Sequence, residues 1–103
     1  MTGKEMNSLS QIPLEAIILY RKAIELSGRG NNELALKYFS NAVLIAPQFA
    51  SAFCEMGYCY EKLGRFPEAV SKFDAVLKMH PTHVEAEITK KRVLEMMGRR
   101  VKN

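Results

Sequence analysis

The regular spacing of proline and glycine is the feature that most constrains the fold of this chain. The same step of 34 residues separates three prolines and three glycines: Pro13, Pro47 and Pro81, and Gly30, Gly64 and Gly98. A fixed period of about 20–50 residues means that one supersecondary unit is copied along the chain. The sequence therefore predicts a repeat architecture, with units at 16–49 and 50–83 and an incomplete third unit from residue 84.

The middle unit shows what is repeated. Between Ala52 and Leu63, apolar or small residues recur at spacings of three and four, which places them on one face of an α-helix. Gly64 suits the left-handed conformation that often ends a helix, and Pro67 suits the first turn of the next one. A second apolar stripe then continues as far as Pro81, and no stretch alternates with period two. Each unit is therefore predicted to be a pair of helices.

The middle unit resembles the tetratricopeptide repeat, whose pattern is Trp-x2-Leu-Gly-x2-Tyr, then Ala-x3-Phe, then Pro. The matching residues are Phe53, Met56, Gly57, Tyr60, Ala69, Phe73 and Pro81. The first unit matches at fewer positions, since Lys22 replaces the leucine, and the third unit keeps only Leu94. The resemblance covers about residues 13–98. It implies an all-α superhelix, or solenoid, of about two and a half helical hairpins with five helices.

Small residues within this pattern mark places where helices approach closely. Ala23 and Gly57 stand on the first helix of each pair, and large rings such as Phe73 fill the space beside them. Burying one such ring contributes about 1.5–3 kcal/mol. Phe73→Ala is therefore expected to be among the most damaging single changes.

The pattern also predicts how the chain is divided. Residues 1–12 have no periodicity and are expected to form a flexible arm, whereas 13–103 form the repeat domain. In the last unit we expect a capping helix over 84–98, followed by a basic tail at 99–103. Lysines stand there at positions where a further repeat would need apolar packing, so the stack is expected to end with this helix.

The start of the capping helix carries its own signal. Thr82 and Glu85 have the spacing of a capping box, in which each side chain accepts a backbone N–H of the first turn. We therefore expect Thr82 to be the N-cap residue.

Apolar and polar residues beside the core stripe predict a binding surface. They lie on the first helix of each unit and keep the repeat period, so stacking should align them; the resemblance implies that they line a concave groove that binds extended or helical peptides. The predicted groove residues are Ile17, Tyr20, Arg21, Ile24, Cys54, Glu55, Tyr58, Ile88 and Arg92. The alternative is that some of them, above all Ile24 and Ile88, complete the packing between neighbouring repeats.

One kind of groove is disfavoured by the same comparison. Relatives that grip the terminal carboxylate of a chaperone carry lysine, arginine and asparagine at set positions. Those positions hold Tyr20, Ile24, Glu55, Glu85 and Thr89 here. Apolar capture with a few polar contacts is therefore the predicted mode. Arg21 and Arg92 are suited to an acidic residue of the partner, and Glu55 or Glu85 to a basic one.

The primary expectation is a non-catalytic adaptor that binds a protein partner, and two alternatives stay open. A homo-oligomer is the first, because three consecutive apolar residues, Ile17, Ile18 and Leu19, cannot all face one neighbour. The second is a basic-tail binder of nucleic acid or a membrane surface: from Val84 onward six basic residues face three glutamates. Nucleic acid is the less favoured partner, since no aromatic residues alternate with these charges.

Catalytic, metal and cofactor roles have little support in the sequence. His80 and His83 flank Pro81, but a third metal ligand is not evident, and no cofactor motif is present. Cys54 and Cys59 point about 140° apart on one helix and should not bond to each other. With no apolar stretch suited to crossing a membrane, we expect a cytoplasmic protein.

Overall fold

Five α-helices follow one another in the structure, a computed structural model that describes residues 11–102, with side chains through residue 100. They are α1 (Leu14–Gly28), α2 (Asn32–Ile45), α3 (Ala50–Lys62), α4 (Phe66–Met79) and α5 (Val84–Lys102). No strand occurs within 11–102. The described residues therefore confirm the predicted all-α class and the number of helices.

The helices pack as a helical-repeat solenoid. Helices α1 and α2 form one hairpin and α3 and α4 the next, while α2 contacts α3 and α4 contacts α5. Helix α1 also touches α3 directly. Side-chain bonds join α3 to α5, from Tyr58 to Glu85 and from Arg92 to Glu61. The odd-numbered helices therefore lie side by side along one surface of the stack.

The hairpin turns are built by glycines in the left-handed region. Gly30 has φ +84° and Gly64 has φ +76°, as the repeated glycines predict. The following residue in each turn donates its N–H back to a carbonyl five residues earlier, from Asn31 to Leu26 and from Arg65 to Tyr60, both at 2.9 Å. This bond satisfies a carbonyl that the helix end leaves without a partner.

The start of α5 differs from the prediction. The Nδ1 atom of His83 accepts the N–H of Ala86 at 3.1 Å, so His83 is the N-cap residue. Thr82 lies one residue too early, because the first helical residue is Val84. The predicted capping box of Thr82 and Glu85 is therefore wrong, and an imidazole nitrogen does the capping.

Two clusters of buried side chains form the core. The first surrounds Phe39 between α1, α2 and α3, and the second surrounds Phe73 between α3, α4 and α5. A Cβ added to Gly57 would lie 2.6 Å from the Cζ of Phe73. This confirms that Gly57 is small because the helices of the second hairpin approach closely.

The last helix runs further than the sequence indicated. Helix α5 passes through Gly98, where the predicted capping helix ended, and the basic segment 99–103 is helical as far as Lys102. The guanidinium of Arg100 lies 4.9 Å from the centre of the Phe66 ring, and its Nη1 donates to the carbonyl of Gly64 at 3.3 Å. These contacts hold the end of α5 against the second hairpin.

The predicted flexible arm, residues 1–12, lies mostly outside the described residues. Of its two described members, Ile12 packs against the first core cluster. No helix within 11–102 is both long and apolar enough to cross a membrane.

Candidate functional site

A cleft between the first two odd-numbered helices brings together several of the predicted groove residues. This first cleft, of about 340 Å³, lies between α1 and α3. Its lining comprises Ile12, Ile17, Tyr20, Arg21, Gln48, Phe49, Ala50, Ser51 and His80. An apolar wall therefore faces a few small polar groups and the cationic side chain of Arg21, which forms no ion pair with another described residue.

A second cleft continues from the first. This central cleft, of about 510 Å³, shares Tyr20, Ala50, Ser51 and His80 with the first cleft. The residues that it adds are Cys54, Glu55, Tyr58, Thr82, His83 and Glu85. The shared residues make the two clefts one continuous depression across α1, α3 and α5.

A third cleft extends this depression toward the end of the stack. The distal cleft, of about 740 Å³, shares Glu55 and Tyr58 with the central cleft. It is also lined by Glu61, Lys62, Phe66, Arg92 and Met96. We refer to the first, central and distal clefts together as the concave groove.

Arg92 is already engaged within the groove. Its guanidinium binds the carboxylate of Glu61, with Nη2 at 2.9 Å from Oε1 and 2.8 Å from Oε2. This pair spans α3 and α5 and neutralises both charges locally. Arg92 is therefore less available to an acidic partner than its position in the sequence suggested.

The two groove tyrosines combine packing with exposure. The ring of Tyr20 lies 5.7 Å from that of Phe39 and 4.8 Å from that of Phe49, measured between ring centres. The ring of Tyr58 lies edge-on to Phe73 at 5.4 Å, and its hydroxyl donates a hydrogen bond to the Glu85 carboxylate. Both tyrosines thus stabilise the core and still line the groove. Tyrosine is suited to such positions because its ring is apolar and its hydroxyl is polar.

The central cleft is electronegative. Burial raises the pKa of Glu55, and the nearby Glu85 carboxylate raises it further. Burial, Glu85 and Glu55 together raise the pKa of the Cys54 thiol to about 11. Burial and the hydrogen bond to Glu85 raise the pKa of Tyr58 to about 12. Each raised pKa means that the group loses its proton, and so becomes negatively charged, less readily in the central cleft than in water.

The chemistry of the cysteines follows from these shifts. Burial is the main reason that the pKa of the Cys59 thiol is also about 11. Burial also raises the pKa of the Tyr20 hydroxyl, which lines the central cleft with Cys54. Both thiols are free, as the 140° separation predicts. A thiol with such a pKa stays protonated near neutral pH, and Cys54 packs against the second core cluster.

Not all predicted groove residues line the groove. Ile24 packs against the first core cluster, as the alternative interpretation had it. Ile88 is largely exposed but does not line the three clefts. The other seven line at least one cleft: Ile17, Tyr20, Arg21, Cys54, Glu55, Tyr58 and Arg92.

Sequence reasoning missed several lining residues. Ser51 could have been found, because it stands 34 residues after Ile17 and before Glu85 and so keeps the period of the groove positions. His80 and Gln48 belong to the turns between repeats, where no helical periodicity points to a face. Among the residues that the structure describes, no three His, Cys, Asp or Glu side chains come together as a metal site.

Comparison with known proteins supports the repeat assignment. A family model described as "Tetratricopeptide repeat" matches residues 50–83. The solved structure "MamA 41-end from Desulfovibrio magneticus RS-1" is similar, with a TM-score of 0.80 and 28% identity, covering 84% of this chain and 49% of that chain. "MamA RS-1 ArsTM double mutant" has a TM-score of 0.80 and 27% identity, covering 84% and 48%.

The chain therefore spans about half the length of the solved structures that it matches. Tetratricopeptide repeats are typically non-catalytic protein-interaction modules. The matched segment coincides with the second predicted unit, and its hairpin is continued on both sides by helices in the same stacking order. Residues 50–83 match the tetratricopeptide repeat, and the described helices form a helical-repeat solenoid.

Proposed function

We propose that this chain is an adaptor that binds a peptide or helix of a partner protein in the concave groove. The observation that carries the proposal is the continuity of the groove. Tyr20 and Ser51 line both the first and the central cleft, and Tyr58 lines both the central and the distal cleft. A depression that crosses three neighbouring helices suits a segment of chain better than a compact small molecule.

The side chains of the first cleft fit an apolar anchor. Ile12 and Ile17 offer aliphatic surface, and the ring of Phe49, itself buried, forms the floor beside Tyr20. Aromatic and aliphatic pockets of this kind usually supply most of the affinity of an interface. The polar groups around them fix the register of the bound segment.

The test begins with selection from a library of short random-sequence peptides on the full chain. Amide chemical shifts of the chain, recorded while a selected peptide is added, should then change at Tyr20, Ser51 and Tyr58. Shifts confined to the opposite surface, on α2 and α4, would overturn the proposal.

A substitution that fills the groove without touching the core makes the test specific. Tyr58→Glu is unsuitable because the Tyr58 ring packs against Phe73. Ser51 is exposed and lines two clefts, so Ser51→Trp should block binding. Ser71→Trp is the matched control, because Ser71 is an exposed helical serine on α4, outside the groove.

A specific observation also favours self-association as a second candidate function. Ile18 is 57% exposed on α1, whereas its period equivalents Ala52 and Ala86 are fully buried by the preceding hairpin. Leu14 is exposed on the same helix. The other end of the stack carries Glu87 and Lys91, a charged pair that is a poor partner for this apolar face. Two copies would therefore pair through their α1 faces about a two-fold axis, which closes as a dimer.

Sedimentation equilibrium tests this second candidate. The average mass should rise toward that of a dimer with concentration, and Ile18→Lys should hold it at the monomer value. Leu44→Lys is the control, because Leu44 is 78% exposed but lies on α2. A mass that is independent of concentration in the wild-type chain, or equal suppression by both variants, would contradict pairing through α1.

The basic tail has weaker support as a binding surface. Of the six basic residues from Val84 onward, three are already paired with carboxylates: Lys90 with Asp74, Lys91 with Glu87 and Arg92 with Glu61. A fourth, Arg100, stacks on Phe66. Charges that are paired internally contribute little to the attraction of a polyanion.

A further inference from the structure

The central cleft concentrates negative charge that pairs with no cationic side chain of the described residues. Among residues 11–100, none of the ion pairs involves Glu55 or Glu85. The carboxylate of Glu61, next along the groove, is by contrast bound by Arg92. The negative charge of the groove is therefore localised between α3 and the start of α5.

The surroundings of the two carboxylates point in the same direction. Tyr58 donates its hydroxyl to Oε2 of Glu85, which fixes that carboxylate at the wall of the cleft. Of the influences on Glu55, burial is the largest and Glu85 the next, while the opposing effect of Lys62 is the smallest. A partly buried carboxylate, that of Glu55, beside a second carboxylate of like charge favours the approach of a cation.

Two imidazoles line the central cleft, those of His80 and His83, and neither forms an ion pair with Glu55 or Glu85. His83 uses its Nδ1 lone pair to accept the N–H of Ala86, and a proton on that nitrogen would remove the cap of α5. The nearest arginine of the adjoining first cleft, Arg21, belongs to α1. Charge thus alternates along the groove, with a cation in the first cleft and carboxylates in the central one.

We propose that the peptide bound by the groove carries a lysine or arginine that enters the central cleft and binds Glu55 and Glu85, next to an apolar residue seated in the first cleft. The inference rests on the proposed function of the groove and names the chemistry of its partner. Charge complementarity also decides which residue enters which cleft, because Arg21 disfavours a basic residue in the first cleft. The partner is therefore a segment in which an apolar residue and a basic residue lie close in sequence.

A double-mutant cycle tests the contact directly. Peptides selected from the random library on the full-length wild-type chain should be enriched in lysine or arginine. The basic residue of a selected peptide is then replaced by a neutral isostere, citrulline for arginine or norleucine for lysine. This replacement should weaken binding to the wild type about tenfold. It should have little further effect on binding to the variant that combines Glu55→Gln and Glu85→Gln.

Salt provides a second readout. Affinity for the wild type should fall as ionic strength rises, and the dependence should flatten in the double glutamine variant. Glu33→Gln is the control, because Glu33 is an exposed carboxylate on α2, outside the groove, and its removal should change neither result.

The outcomes separate this inference from the proposed function. Peptides that bind and are blocked by Ser51→Trp, but show no basic enrichment or no coupling to Glu55 and Glu85, would overturn the inference and leave groove binding intact. Failure to select any peptide, or equal binding to Ser51→Trp, would overturn both.

Discussion

At the residue scale, the absence of a Cβ at Gly57 allows α3 and α4 of the second hairpin to pack closely. Gly57 faces Phe73, and a Cβ there would approach three atoms of the ring within 2.9 Å. No carbon pair tolerates that distance, so the ring or one of the two helices would have to move. The tetratricopeptide pattern has a small residue at the position of Gly57, and the structure shows that the ring of Phe73 leaves no room for a larger one.

Gly57→Ala should therefore destabilise the fold, although alanine is the better helix former. The clash should cost about 1–3 kcal/mol, more than the roughly 1 kcal/mol of helix propensity that alanine adds. Gly28→Ala is the matched control, because nothing lies within 4 Å of a Cβ at Gly28. Urea unfolding followed by circular dichroism measures both; a Gly57→Ala variant as stable as Gly28→Ala would contradict the account.

The cysteines give a prediction about pH. With a thiol pKa of about 11, Cys54 and Cys59 are protonated in the folded chain at pH 8, where an ordinary cysteine is partly thiolate. Alkylation by iodoacetamide at pH 8 should be about a hundredfold slower than in urea. Because the folded pKa is raised, the rate should keep rising up to about pH 11. Mass spectrometry can follow each site, and fast modification of Cys54 in the folded chain at pH 8 would count against the protonated, electronegative cleft.

At the element scale, the repeat period predicts more about hairpins than about the ends of the stack. The glycine period placed Gly30 and Gly64 in turns because each is followed by a helix that folds back. Gly98 keeps the period but lies inside α5. Glycine permits the left-handed conformation without requiring it, and no described helix follows α5 to demand a turn.

The groove could be predicted only in part, because the repeat period shows which positions are equivalent but not how each side chain packs. Periodicity correctly brought Tyr20, Cys54 and Tyr58 to one surface, because equivalent positions of stacked units align. Periodicity could not show that Ile24 packs against the core while nearby residues of α1 line the groove, because the core face and the groove face of a helix have no sharp boundary. The pairing of Arg92 with Glu61 depends on the distance between two helices, which a single sequence does not report.

The start of α5 gives a prediction at this scale. His83→Ala removes the acceptor for the N–H of Ala86 and should destabilise the chain by about 0.5–2 kcal/mol. His83→Asn should recover most of that loss, because asparagine is a strong N-cap residue. Thr82→Ala should have little effect if the observed cap is correct. Thermal unfolding of the three variants checks this, and a larger loss with Thr82→Ala would restore the capping box in its place.

At the scale of the whole molecule, the solenoid is an elongated body of 57 × 29 × 19 Å whose two ends differ. One end presents apolar residues of α1. The other end, on α5, carries the Glu87–Lys91 pair together with the exposed apolar residues Val84, Ile88 and Leu94. Between them the odd-numbered helices form one groove with alternating charge. What this surface can bind therefore depends on its shape and charge along three helices together.

The central claim is that this groove binds peptide, and the affinity of one selected peptide for three proteins tests it most directly. Fluorescence anisotropy of a labelled peptide gives Kd for the wild type, Ser51→Trp and Ser71→Trp. The chain contains no tryptophan, so each introduced indole also reports whether its own surface is covered. We expect Ser51→Trp to weaken binding at least tenfold and Ser71→Trp to bind like the wild type. Equal affinity of all three proteins would contradict binding in the groove.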